Sequence, residues 1–183
     1  MIQIDQFLKE LKAFGIANEV PNISEVNARF LRDLIKIKQV KNMLEIGTAN
    51  GYSAIQFALE LKNTWGKITT IEFSTLSHAQ ALQNFETAGV QDVIDSRLGN
   101  ALDIIPTLEE KYDFVFIEGM KRRTKDFLEL VWDKVLPGGI IIIDDVIKFR
   151  EKMVGFWEHL EEQKIPYNII PIDVDDGIVM IVK

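Results

Sequence analysis

Apolar and polar positions along the chain follow first a helical spacing and then a regular exchange between helical and strand spacing. Over residues 2–14, Ile4, Phe7, Leu8 and Leu11 fall on one helical face, with Gly15 placed to end the turn. A second helix is predicted from Asn22. There Asn-Ile-Ser-Glu reads as a capping box, Asn22 capping and Glu25 reaching back, with Phe30, Leu31 and Leu34 as the buried stripe. The alternation then begins. Asn42–Ile46 is a short strand, followed by a glycine-containing turn and a helix to about Lys62. Lys67–Glu72 is a second strand, and its helix runs to Gly89, which suits a left-handed stop. Residues 92–98 make a third strand, before a short helix over 102–109, and residues 113–118 make a fourth. The helix after that carries Phe127, Leu128, Val131 and Val135, and residues 139–143 form a fifth strand. A helix over 149–163 precedes two last strands, 167–170 and Ile178–Val182, joined by the turn-rich Asp-Val-Asp-Asp-Gly.

The runs Phe114-Val115-Phe116-Ile117 and Ile140 to Ile143 are almost unbroken in apolar residues, as strands buried on both faces of a parallel sheet require. Strands alternating with helices therefore predict a doubly wound, Rossmann-like α/β fold preceded by helices. At 183 residues one domain is expected, with helices over 1–40 and the α/β core over 41–183.

Composition narrows the chemistry. There are no cysteines, which excludes disulfides, thiolate metal sites and thiol nucleophiles, and the two histidines, His78 and His159, lie within helical patterns. No apolar run approaches the roughly 18 residues of a membrane span, and the first residues lack the basic head of an export signal, so a cytoplasmic location without membrane contact is expected. The net charge of −7 argues against nucleic-acid binding over the whole surface.

The candidate binding chemistry lies after the first strand, in Leu44-Glu45-Ile46-Gly47-Thr48-Ala49-Asn50-Gly51-Tyr52-Ser53. In an open α/β sheet ligands sit beyond the carboxyl ends of the strands. Gly47 permits a sharp turn, and Gly51 lets the backbone approach a ligand at a helix amino terminus. The spacing is Gly-x-x-x-Gly. Ala49 holds the middle glycine position of a dinucleotide fingerprint, the third glycine is missing, and no Gly-Lys-Ser/Thr follows. A nicotinamide or nucleoside-triphosphate site is disfavoured on those grounds. Glu72 closes the second strand, where its carboxylate can accept from both hydroxyls of a ribose; otherwise it is a solvated strand-end acid.

Five segments in register carry a resemblance. They are Leu-Glu-Ile-Gly-Thr-Ala-x-Gly-Tyr-Ser-Ala, Ile-Thr-Thr-Ile-Glu, Gly-Asn-Ala-Leu-x-Ile-Ile-Pro, Tyr-Asp-Phe-Val-Phe-Ile-Glu-Gly-Met-Lys and Leu-Pro-Gly-Gly-Ile-Ile-Ile-Ile-Asp-Asp-Val-Ile. Together they resemble the S-adenosylmethionine-dependent O-methyltransferases of the catechol and caffeoyl-CoA class, bacterial members included. The resemblance implies a seven-stranded, mostly parallel sheet whose last strand is antiparallel. It implies that Gly47, Gly51 and Ser53 surround the methionine moiety, Ser53 at its carboxylate, and that Glu72 binds the ribose. Asn100, where many relatives have Asp, would flank adenine, unless it simply caps the helix before Ala101. Glu45, Ala101 and Glu118 complete the cofactor set.

In that class a divalent metal is held by an Asp after strand four and an Asp-Asn pair after strand five, and a lysine three residues past the first Asp acts as base. The matching residues are Glu118, Asp144, Asp145 and Lys121, so two of the three ligands differ. Three carboxylates still suit Mg²⁺, Mn²⁺ or Ca²⁺. Alternatively, Asp144 and Asp145 cap the strand-five turn and Lys121 or Glu118 handles the proton alone. Lys121, Arg122, Arg123 and Lys125 crowd one helix start, and Lys148, Arg150 and Lys152 another. Cations oppose the helix dipole there, so the clusters read either as a rim for an anionic acceptor or as ordinary charge scatter. The expected activity is methyl transfer to a hydroxyl of a small molecule or of RNA, a tRNA hydroxyuridine being the RNA case. The non-enzymatic alternative is a cofactor-binding module that has lost catalysis. Oligomeric state is left open, a homodimer included.

Overall fold

The computed structural model describes residues 3–183. Two helices, α1 (Ile4–Ala17) and α2 (Glu25–Lys38), precede the sheet. Then follow β1 (Asn42–Ile46), α3 (Tyr52–Thr64), β2 (Lys67–Glu72), α4 (Thr75–Ala88), β3 (Ile94–Leu98), α5 (Ala101–Ile104), β4 (Tyr112–Ile117), α6 (Thr124–Trp132), β5 (Val135–Ile143), α7 (Val154–Glu162), β6 (Asn168–Ile170) and β7 (Ile178–Val182). The strands form one seven-stranded sheet in the order β3-β2-β1-β4-β5-β7-β6. β1 to β5 are parallel, and β7 runs antiparallel to both β5 and β6. The doubly wound fold and its antiparallel final strand are as the sequence implies.

Side-chain alternation along the strands divides the core. Met43, Phe114, Phe116 and Ile142 point to the face covered by α1 to α4, where Leu31, Ile35, Phe57 and Phe85 meet them. Leu44, Ile46, Val115, Ile117, Ile141 and Ile143 point to the opposite face, against Phe127, Leu128, Phe156 and Leu160. Phe57 meets Phe116 edge-on at a ring separation of 5.5 Å. Burial on both faces explains why the central strands read as continuous apolar runs.

Several boundaries differ from the sequence reading, each for a local reason. α1 continues through Gly15 to Ala17; Gly15 is buried where a side chain would strike Asn22, so the glycine serves packing and not termination. α2 is capped by Ser24, whose hydroxyl accepts from the Asn27 N–H, and not by Asn22. Its buried stripe is Ala28, Leu31 and Ile35, with Phe30 and Leu34 only half-buried. β5 begins at Val135, which pairs with Tyr112 and so belongs to the sheet and not to the preceding helix. Pairing shifts register before Phe114 and Ile140, so Leu-Pro-Gly-Gly bends the strand without ending it. The predicted 149–163 helix opens as a 3₁₀ turn, Arg150–Met153, and becomes α-helical only at Val154.

Candidate active site

The carboxyl ends of β1, β2, β4 and β5 bring two groups of residues to one edge of the sheet. The first is the loop after β1. Gly47, Ala49 and Gly51 have φ of +101°, +49° and +86°, all in the left-handed region. A Cβ on Gly47 would lie 3.0 Å from the Gly119 nitrogen, and one on Gly51 2.6 Å from the Phe85 ring. Both glycines are therefore required by positive φ and by close packing. Ala49 bears the same conformation with a side chain, a local strain of the kind concentrated at ligand sites.

Glu72 holds this loop. Its Oε2 accepts from the N–H groups of Thr48 (3.2 Å) and Ala49 (2.8 Å), and its Oε1 from Ser74 N–H (2.8 Å). Three of about four acceptor positions on the carboxylate are thus engaged. Next in the chain, Phe73 is 77% exposed, an unusual state for a large aromatic. Gly51, the N-cap of α3, has no side chain to offer, and the first N–H of the helix, that of Tyr52, is taken by Asn50 Oδ1 at 3.2 Å.

Glu45 lies beneath the loop and is fully buried. Its Oε1 accepts from the Ser53 hydroxyl at 2.6 Å and its Oε2 from the Thr70 hydroxyl at 2.5 Å. Thr70 gives its single proton to Glu45, so Thr48, 2.6 Å away, must be the donor in the Thr48–Thr70 pair. Burial pushes the Glu45 carboxyl up to about 7, the two hydroxyls opposing and Glu72 adding to the shift. Glu45 therefore acts on the loop through Ser53 and Thr70, and Ser53 directs its proton inward. Asn100 caps α5, its Oδ1 accepting from Leu102 N–H at 3.1 Å. That is the capping role weighed for it. Ala101, the first residue of α5, is buried beside it.

The second group follows β4 and β5. Glu118 and Gly119 both donate their N–H to Ile46 O (3.0 and 2.9 Å), tying this turn to the end of β1, and Asp144 N–H donates to Ile117 O. Carboxylate oxygens of Glu118, Asp144 and Asp145 all lie within 4.8 Å of one another. Among them sits the Lys121 ammonium. It is 3.4 Å from Glu118 Oε2 and 3.1 Å from Asp145 Oδ2, and it donates to the carbonyls of Glu118 (3.3 Å) and Asp144 (3.1 Å). Burial raises the pKa of Glu118 well above the carboxylate range, with Lys121 opposing and the two aspartates adding. Burial likewise carries Asp144 up to about 6, helped by Asp145. Burial depresses Lys121, yet the three carboxylates together outweigh it and leave its pKa raised. Two residues not anticipated from the sequence complete the arrangement. Asn27, buried on α2, donates Nδ2 to Asp144 Oδ1 at 2.8 Å. Asp176 accepts through Oδ1 from the N–H groups of Ile147, Lys148 and Gly177, pinning the turn beyond Asp145. The Asn27–Asp144 bond and the bonds from Ile147 and Lys148 to Asp176 span long separations in the chain and carry no local sequence signal.

The two basic clusters meet as neighbouring 3₁₀ turns, Lys121–Arg123 and Arg150–Met153, on this same edge. Much of their charge is already engaged. Arg123 pairs with Asp126 and Lys125 with Glu129, Arg150 stacks on Trp157 at 4.3 Å, and Lys148 and Lys152 lie over Phe149.

Residues 2–183 match the sequence model of the family described as O-methyltransferase. The chain belongs to that family. It is 33% identical over 131 residues to a catechol O-methyltransferase of Niastella koreensis, covering 69% of the chain and 59% of the relative. To a catechol O-methyltransferase of Mycobacterium tuberculosis it is 32% identical over 147 residues, covering 79% and 66%. The match thus spans about three-fifths to two-thirds of these relatives' length. Among solved structures, an O-methyltransferase from Bacillus cereus in complex with SAH superposes with a TM-score of 0.86 at 27% identity, covering 97% of this chain and 91% of that one. No helix among the described residues is long and apolar enough to cross a membrane.

Proposed function

We propose that this chain transfers the methyl group of S-adenosylmethionine to a hydroxyl oxygen of an acceptor. The observation that carries this reading is the pairing, on one sheet edge, of a left-handed glycine loop clamped to Glu72 with a partly buried lysine–carboxylate cluster. Family membership and the SAH complex of the Bacillus cereus neighbour support the choice of cofactor. A nicotinamide reductase fits poorly, because Ala49 and the absence of a third glycine leave the loop without a dinucleotide fingerprint.

In this reading Gly47 and Gly51 border the methionine moiety, with Ser53 turning its hydroxyl from Glu45 toward the carboxylate. Glu72 takes one ribose hydroxyl on the unused side of Oε1 and the other where the 3.2 Å bond from Thr48 yields. Phe73 offers an apolar face to adenine, whose polar edge meets Asn100 and Ala101. S-adenosylmethionine supplies a methyl group already activated on a sulfonium, so the residues of the chain have two tasks, alignment and proton removal. In the free site Lys121 is an ammonium. An acceptor that displaces its contacts with Glu118 and Asp145 leaves burial dominant, which lowers the lysine pKa and frees the amine. As the acceptor oxygen takes the methyl group, its proton passes to Lys121. Glu118 stands beside it as a protonated carboxyl able to hydrogen-bond the acceptor oxygen.

The donor set also fits a hard divalent cation, since three carboxylate oxygens lie close enough to share one ion. Glu118, Asp144 and Asp145 would hold Mg²⁺, Mn²⁺ or Ca²⁺, which would add Lewis-acid polarisation of the acceptor hydroxyl. The exposed guanidinium of Arg122 on the rim, which has no ion-pair partner among the described residues, favours an acceptor that carries an anionic group, with a tRNA hydroxyl as the bulkiest case.

Two measurements test the proposal. Calorimetry should show binding of S-adenosylmethionine and none of NAD. Labelled methyl transfer should then appear with members of a panel of catechols, carboxylated and phosphorylated phenols and unmodified tRNA, each assayed with Mg²⁺ and with EDTA. A protein that binds NAD in preference, or binds neither, contradicts the reading. Binding without transfer to any panel member favours the cofactor-binding module.

A further inference from the structure

We infer that Asn27 is a positioning residue that sets the orientation of the Asp144 carboxylate and so ties the amino-terminal helices to the reacting edge of the sheet. The inference rests on the methyltransferase reading for its consequence, though not for its geometry.

Asn27 lies in the first turn of α2, where its N–H is fixed by the Ser24 hydroxyl at 3.0 Å. The residue is 1% exposed and lies on the buried side of the helix with Ala28, Leu31 and Ile35. Nδ2 donates to Asp144 Oδ1 at 2.8 Å across 117 residues of sequence, while its own Oδ1 has no partner. An amide buried with its oxygen unpaired costs stability, whereas an apolar side chain of similar size would pack there without that cost. Core packing therefore does not account for an asparagine at this position; its donor does.

What the donor accomplishes follows from its charge and direction. A lysine or arginine in its place would neutralise Asp144, and an apolar residue would leave the carboxylate free to turn. A neutral N–H fixes one oxygen, Oδ1, and leaves Oδ2 to the cluster with Glu118 and Asp145. The backbone of Asp144 is held separately, its N–H by Ile117 O and its carbonyl by Lys121. Among the described residues, Asn27 is the only side chain outside the cluster itself that donates to this carboxylate, Glu118 bonding it from within. The segment leading into α2 is itself clamped, since Lys12 of α1 donates to the carbonyls of Asn22 and Ile23, both at 2.7 Å. Both amino-terminal helices thus bear on one carboxylate.

The test compares Asn27→Leu, similar in size and free of donors, with Asn27→Ala. For each, the position of Asp144 is read in a crystal structure, SAH affinity by calorimetry, methyl transfer as kcat and KM separately, and folding by the thermal midpoint. The expected result is a turned Asp144 carboxylate and a kcat lower by about 10- to 100-fold, the range for residues that orient a reacting group from behind. SAH affinity should stay within about twofold. Asn27→Leu should remain folded with a midpoint lowered less than that of Asn27→Ala, since both leave Asp144 Oδ1 without its donor and only alanine also leaves a cavity. An Asp144 in its wild-type orientation in Asn27→Leu overturns the inference whatever the kinetics. So does an unchanged kcat in a variant whose Asp144 has turned. A wild type without methyl transfer, beside a variant with Asp144 turned, removes the proposed function and leaves this placement standing.

Discussion

Replacing Glu45 by glutamine should make the protein more stable at alkaline pH and shift nothing comparable at acidic pH. The carboxyl is fully buried, and burial carries its pKa from an ordinary 4.5 to about 7. The folded state therefore binds this proton more tightly than the unfolded chain does. Stability from this group is fully present below the unfolded value and falls as pH rises from 4.5 through 7. The difference between 7 and 4.5, at about 1.4 kcal/mol per unit, gives a full cost of about 3 kcal/mol once both states are ionised. About 2 kcal/mol of it falls between roughly pH 5.5 and 8. Glutamine avoids that cost and keeps the geometry. Its carbonyl accepts from Ser53, and its amide donates to Thr70, whose proton then turns to Thr48. For a chain of this size, 1 kcal/mol moves the midpoint by about 2–4 °C. The midpoint of Glu45→Gln minus that of the wild type, followed by circular dichroism, should thus rise by about 4–8 °C from pH 5.5 to 8. Glu118 and Asp144 titrate with the same sign but are common to both proteins, so they cancel in the difference. A difference that stays flat across this range refutes the assignment of Glu45 as a buried acid with a raised pKa.

The other residues of the site give sharper functional expectations. Glu72→Ala should weaken S-adenosylmethionine binding by more than about tenfold in calorimetry, through loss of ribose contacts and of the loop's anchor; an unchanged affinity contradicts the ribose assignment. Lys121→Met should lower kcat by about 100-fold or more while cofactor affinity moves little, within the usual range for a general base. Equal losses in both would instead make Lys121 a structural counter-ion of Glu118 and Asp145. Gly51→Ala should destabilise the protein by about 1–3 kcal/mol, because a Cβ meets the Phe85 ring at a φ that alanine resists. Denaturant unfolding with an unchanged midpoint would show that Phe85 gives way freely.

The alternation of strand and helix was legible in the sequence because a doubly wound sheet writes its burial into nearly every residue from Asn42 onward. Phe114 to Ile117 and Ile140 to Ile143 carry the signal of two-sided burial by themselves. The loop glycines and Glu72 were legible for a related reason, since each is fixed by its neighbours within one strand–turn–helix unit. The cap of α2 is ambiguous in sequence because Asn22 and Ser24 both suit the position; in the structure Ser24 takes it, and Asn22 lies against Gly15 instead. Val135 was misread because Leu-Pro-Gly-Gly has the composition of a turn, while the β4 partner strand holds the chain in the sheet on both sides of it. The place of Glu45 beneath the loop is not legible, because β1 is covered on both faces and its partners Ser53 and Thr70 come from α3 and β2. Asn27 and Asp176 were invisible. Their partners lie 117 and about 29 residues away, and no periodicity encodes a hydrogen bond across the sheet edge.

A crystal structure of the wild type with S-adenosylhomocysteine bound bears most directly on the whole account. The predicted result is a nucleoside along the carboxyl ends of β1 and β2, both ribose hydroxyls on the Glu72 carboxylate, and the sulfur directed toward Lys121. A ligand bound away from the glycine loop, or turned so that its ribose lies nearer Asp144 than Glu72, would contradict it.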